Sequence, residues 1–235
     1  MKTIFCIALC LLTTACATVR VPSPHAGPAY DGLPDIAKLP QAQRTLISPA
    51  DMSAVSILLS RNATQFVRFA EECRTLIINE SAHSNFILGN GAAQVKQMQG
   101  TDDSEVLMFN IANTLKQKFK TVTVAHDLPE ALIQRKDGGT LALYDVSAVN
   151  ASCMDNGPPP PILIWLYYGD ITQRLTFLTP SMERICSGEL GSTQDGAQKA
   201  GVYSNWSFDD IATKESAFVN WAATEFGKKM TACYQ

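Results

Sequence analysis

LALYDVSAV at residues 141–149, ILIWLYY at 162–168 and ITQRLTFL at 171–178 are three apolar-rich runs separated by turn-forming residues. They are rich in β-branched and aromatic side chains, the signature of strands that lay a face on a core. Gly169-Asp170 and Thr179-Pro180-Ser181-Met182 supply tight turns, and Glu183 to Leu190 reads as one more strand. The reading is a meander of antiparallel strands.

Helices flank this meander. Met108, Ile111, Ala112, Leu115 and Phe119 recur at steps of three and four, which predicts a helix over 102–118. Asp102 and Glu105 have the spacing of a cap and its reciprocal partner, and Lys116, Lys118 and Lys120 suit the negative end of the helix dipole. Ile211, Phe218, Trp221, Ala222 and Phe226 predict a second helix over 209–229, with Asp209-Asp210 at its start and Lys228-Lys229 at its end. Val122-Thr123-Val124 is a short strand, residues 129–135 hold one or two helical turns, and Asp137-Gly138-Gly139 is a turn. Further upstream, Met52, Val55, Leu58 and Leu59 fit one helical face, whereas Phe66, Val67 and Phe69 equally open a strand. Leu76-Ile77-Ile78 reads as a buried strand over 74–79. The expected fold is α+β, a two-layer sandwich with helices packed on one face of a mostly antiparallel sheet. A single domain over 50–235 accounts for these elements.

The first fifty residues are of another kind. Met1-Lys2-Thr3 gives a positive start, and Ile4 to Leu12 is an apolar run with the length of a signal-peptide core, too short to span a bilayer. It ends in Thr13-Thr14-Ala15-Cys16-Ala17, which resembles the lipobox of bacterial lipoproteins, with small residues directly before a cysteine. The resemblance implies cleavage after Ala15 and a diacylglycerol on the Cys16 thiol, with palmitate among the acyl chains. Thr13 stands where that family usually has Leu, so ordinary cleavage with Cys16 unlipidated is the alternative. Ala17, in place of the Asp that retains lipoproteins at the inner membrane, implies an outer-membrane address facing the periplasm. Six prolines at 22, 24, 28, 34, 40 and 49 favour extended backbone, so 16–49 reads as a lipidated cysteine and Pro-rich spacer behind a signal at 1–15. The element order of the body resembles the small periplasmic α/β modules of outer-membrane lipoproteins, of the TolB amino-terminal, penicillin-binding-protein activator and curli-secretion types. No functional residue carries over from that likeness.

Composition bounds the chemistry. With 46% apolar and 17% charged residues and a net charge of -3, the chain has material for one packed core and no cationic surplus for nucleic acid. Beyond the first segment four cysteines remain, an even number that suits an oxidising compartment. The expected pairs are Cys153 with Cys186 and Cys73 with Cys233, with four buried thiols as the alternative. Their spacing lacks the short repeats of a zinc site, so no metal and no cofactor is expected.

No catalytic set is expected either. His25 lies in the spacer and reads as an exposed bystander, and His83 and His126 read as solvated loop residues without a Gly-x-Ser-x-Gly elbow. Gly89-Asn90-Gly91 lacks the phosphate-loop lysine, Asp102-Asp103 and Asp209-Asp210 read as helix starts, and Pro158 to Pro161 reads as a stiff connection. Trp165-Leu166-Tyr167-Tyr168 offers aromatics at alternate positions as a contact patch. The leading expectation is a non-enzymatic envelope lipoprotein, held at the membrane by its lipid and acting as an accessory or assembly component on an envelope protein partner. A lipid-anchored hydrolase using His83 or His126 is one alternative, and a subunit of an oligomeric secretion or pore complex is another.

Overall fold

The structure is a computed structural model, and it describes residues 18–84, 111–135, 139–149, 152–155, 164–167, 170–190, 205–207 and 211–234. The signal core, Cys16, Gly89-Asn90-Gly91, Asp102-Asp103, the 158–161 prolines and Asp209-Asp210 lie outside the described residues, as does the side chain of His83. In chain order the elements are β1 (Thr18–Arg20), β2 (Ala54–Leu59), α1 (Arg61–Ser84), α2 (Ile111–Lys116), β3 (Thr121–Ala125), α3 (Leu128–Gln134) and β4 (Thr140–Val149). There follow β5 (Ser152–Asp155), β6 (Ile164–Tyr167), β7 (Asp170–Leu178), β8 (Arg184–Leu190), β9 (Asn205–Ser207) and α4 (Ile211–Met230). The fold is α+β.

The main sheet has five strands in the order β3-β2-β4-β7-β8. β2 runs parallel to both β3 and β4, and β4-β7 and β7-β8 are antiparallel. β2 is buried at every position, because its alternate residues feed two cores. Val55, Ile57 and Leu59 join Phe66, Phe69, Leu115, Phe177 and Phe226 beneath α1, α2 and α4, whereas Leu58 joins Leu141, Leu143, Leu178 and Ala131 on the opposite face. A run apolar on both faces has no alternation to read, which is why residues 54–59 mimic a helix face in sequence.

Two further elements differ from the sequence reading. Leu76-Ile77-Ile78, expected as a strand, lies within α1. That helix is nucleated upstream, where the Ser60 hydroxyl accepts the Ala63 N–H at 2.9 Å as an N-cap, and the continued helix overrides the β preference of a short apolar run. The 162–168 strand forms as β6, but it does not join the meander. It pairs with β5 and β9 in a second sheet of order β1-β5-β6-β9, while β7 pairs directly with β4.

The Pro-rich segment is also more than a spacer. β1 pairs antiparallel with β5, Thr18 opposite Met154, so paired strand is already present two positions after Cys16. Tyr30, Leu33, Leu39, Ala42 and Ile47 are buried, and the first three pack with Leu58, Leu141 and Leu143. This arm bends repeatedly, with a 3-10 turn at Ile36–Lys38, and buries Tyr30, Leu33 and Leu39 against the sheet face that α3 leaves open and Ala42 and Ile47 in the core on the other face.

The disulfide expectation is corrected. Cys186 on β8 is bonded to Cys233 in the turn after α4, with Cα atoms 5.8 Å apart, and Cys73 and Cys153 are buried thiols outside any disulfide. The Cys153 thiol lies 3.9 Å from the Cys73 carbonyl oxygen, because β5 belongs to the second sheet, packed against α1. Gly188 permits the same approach of α4 to β8, since a Cβ there would meet the Met230 sulfur at 2.1 Å. For the chain from residue 17, thiol titration of the denatured protein is expected to give two thiols without reductant and four after reduction. Four thiols without reductant would refute the bond.

Candidate functional site

β2 and β3 lie side by side and parallel, yet their carboxyl ends send the chain to opposite faces of the sheet. β2 leads through Ser60 into α1 over one core, and β3 leads through His126 and Asp127 into α3 over the other. Adjacent connections that diverge in this way leave a crevice at the strand ends, the position at which open α/β sheets bind ligands. Here the crevice measures about 370 Å³.

Three segments wall it. α1 contributes Arg61, Thr64, Gln65 and Arg68, spaced at helical steps and so aligned along one stripe, while Ala63, Phe66 and Phe69 face the core. The β3-α3 connection contributes His126 and Asp127, and the arm contributes His25, Ala29 and Asp31. Much of this polar set is already engaged in holding the arm. A His25 ring nitrogen contacts an Arg61 guanidinium nitrogen at 2.5 Å, and the other end of that guanidinium pairs with Asp31. The Arg61 N–H donates to the Ala29 carbonyl at 2.8 Å, and the His25 N–H to the Asn62 side chain at 2.8 Å. Asp127 caps α3 by accepting the Glu130 N–H at 2.8 Å. Arg68 and the His126 ring have no hydrogen-bond or ion-pair partner among the described residues. The one free cation at this crevice among the described residues is thus Arg68, while Asp31 and Asp127 each have one oxygen engaged in holding the arm or capping α3.

No family model matches the chain, and no curated protein matches it in sequence. Among solved structures, a Helicobacter pylori protein described as a neuraminyllactose-binding hemagglutinin homolog is similar at a TM-score of 0.32. The identity is 10%, over 81% of this chain and 88% of that one. A likeness at that level carries no argument about function.

A second cavity, of about 780 Å³, lies between the arm and the face of β4, β7 and β8 that the cluster around Leu141 and Leu143 leaves uncovered. Asp145, Arg174 and Glu189 stand opposite one another across the three strands. Thr176 and Ser187 form the next row, their hydroxyls 2.9 Å apart. Arg174 Nε and Nη2 both donate to one Glu189 oxygen, at 2.8 and 2.6 Å. The Ser60 hydroxyl, while capping α1, donates to Asp145. Tyr30 roofs this groove. It is 3% exposed, and its hydroxyl has no hydrogen-bond partner among the described residues. Burial pushes that hydroxyl well above the ordinary tyrosine range, with the Asp145 and Tyr144 charges adding to the rise and Arg174 opposing it, so it stays a donor.

The structure therefore brings His25 and His126 to one crevice and gives His25 a partner, where the sequence reading has two unrelated bystanders. The stripe Arg61-Thr64-Gln65-Arg68 is not singled out by the sequence reading, in which Phe66, Val67 and Phe69 equally open a strand. Tyr30, in a segment read as solvated, had no signal beyond being an aromatic residue among prolines.

Proposed function

We propose that this chain is a lipid-anchored envelope protein, held at the outer membrane through Cys16 and facing the periplasm, which acts non-enzymatically by binding an envelope protein partner. The observation that carries this reading is the state of the crevice. Three groups that a hydrolytic mechanism could recruit at or beside it serve the fold instead: His25 is tied to Arg61, Asp127 caps α3 and Ser60 caps α1, which leaves the His126 ring without an orienting carboxylate or a hydroxyl beside it among the hydrogen bonds of the described residues. A ring nitrogen whose lone pair faces a guanidinium is a poor general base. What the crevice leaves free is Arg68 with Gln65 and His126, one cation beside two groups that can donate or accept, a set suited to an acidic side chain of a partner.

The reading is tested by placing a photo-crosslinking residue at Gln65 in intact cells and identifying the product by mass spectrometry. A discrete protein adduct is expected, and it should fall at least tenfold when Arg68→Glu reverses the charge beside it. Turnover of an ester, peptide or glycan substrate by the purified chain, lost in His126→Ala, would overturn it in favour of a hydrolase.

A further inference from the structure

A buried hydroxyl without a partner is a standing cost to the fold, and phenylalanine would fill the same space without it. Tyr30 keeps that hydroxyl at 3% exposure, where it lines a groove that also holds Asp145, Arg174 and Glu189. The charges of this row alternate in sign from strand to strand, and neighbouring strands are about 4.8 Å apart. Asp145 and Arg174 stand opposite each other, yet Asp145 takes its hydrogen bond from Ser60 and Arg174 gives two of its donors to Glu189. Arg174 Nη1, Asp145 Oδ2 and Glu189 Oε1 have no partner among the described residues. One cationic donor and one neutral donor thus line the same groove as two free anionic acceptors, which stand on the two strands either side of Arg174.

We propose that this groove binds a small zwitterion of the α-amino acid class, free or as a short peptide. The carboxylate is taken by the Tyr30 hydroxyl and Arg174 Nη1, and the ammonium by the free oxygen of Asp145 or, on the other side of Arg174, by that of Glu189. Pro28, Leu33, Pro34 and Ile36 of the arm line the apolar side of the cavity, where a side chain would lie. At about 780 Å³ the cavity is within the range of small-molecule sites and roomy for a single amino acid. The proposal stands apart from the crevice at the strand ends.

The test is calorimetric titration of the detergent-solubilised, anchored chain with glycine, leucine, glutamate and lysine, with di- and tri-alanine, and with N-acetyl-alanine amide, which lacks both charges. Binding is expected for a zwitterion and not for the capped amide, and the amino acid and peptide arms identify which source the groove prefers. Tyr30→Phe should weaken that binding at least tenfold while leaving the ligand-free melting temperature unchanged or higher. Arg174→Gln should abolish it, and Arg68→Gln, in the other cavity, should leave it intact. No heat with any zwitterion, equal affinity for the capped amide, or undiminished affinity in Tyr30→Phe would each overturn the proposal.

Discussion

Replacing Cys233 with serine is expected to destabilise the domain by about 4 kcal/mol, a fall in melting temperature of roughly 8–16 °C for a chain of this size. The figure follows from the 47-residue separation of Cys186 and Cys233, because the bond closes a loop of that length in the unfolded chain and removes its entropy. The native side of the balance matters as well. The turn at Thr231–Cys233 and the following Tyr234 connect three parts of the molecule. The Cys233 carbonyl accepts the Ile47 N–H of the arm at 2.8 Å, and the Tyr234 ring lies 6.3 Å from Phe119 and 6.1 Å from Phe177. Cutting the bond frees the end of α4 from β8 and loosens the seat of the arm. Thermal melts of Cys186→Ser, Cys233→Ser and the double variant should agree within about 1 kcal/mol, since one bond is lost only once. Reductant should lower the wild type to the same point. A large loss in Cys73→Ser, coupled to that in Cys233→Ser, would instead support the pairing expected from sequence.

Why that pairing was misread, and why other features were not, comes down to the range of the interactions involved. β4, β7 and β8 carry their own evidence, since each is rich in apolar and β-branched residues and the turn between β7 and β8 is marked by Pro180 and Ser181. α3 and α4 are likewise legible from local periodicity. β6 is legible as a strand, but its choice of β5 and β9 over β7 is a matter of long-range packing that no window of sequence contains. Cys153 followed that strand into the second sheet and away from Cys186. The site suffers in the same way: His25 and His126 meet only because the arm returns across the strand ends, pinned by the Arg61–Ala29 backbone bond. Proline content indicates that the arm lacks long helices or strands, yet says nothing of its bends, of the 3-10 turn at Ile36–Lys38 or of whether its backbone is solvated. The buried Tyr30, Leu33 and Leu39 decide that question, and their burial depends on an apolar sheet face formed far along the chain.

Cys16→Ala is expected to move the protein wholly from the membrane fraction to the soluble fraction, and to abolish its labelling by radioactive palmitate. Each buried methylene contributes about 0.8 kcal/mol, so two or three acyl chains make release negligible, and no helix among the described residues is long and apolar enough to hold the protein in their place. Equal labelling of wild type and variant would remove the anchor from the proposed function. Where the anchor holds, its position in the fold constrains that function further. Only Ala17 separates Cys16 from β1, and a residue spans at most about 3.6 Å of extended chain, so the reach of the tether is on the order of 7 Å. β1 is the edge of the second sheet, which would then sit at the bilayer surface. A domain held so closely meets partners that are themselves in or on that membrane. Inserting a Gly-Ser linker of about twenty residues after Ala17 tests this directly: crosslinking from Gln65 to the same adduct should fall if proximity to the membrane selects the partner, and should persist if the domain works at a distance.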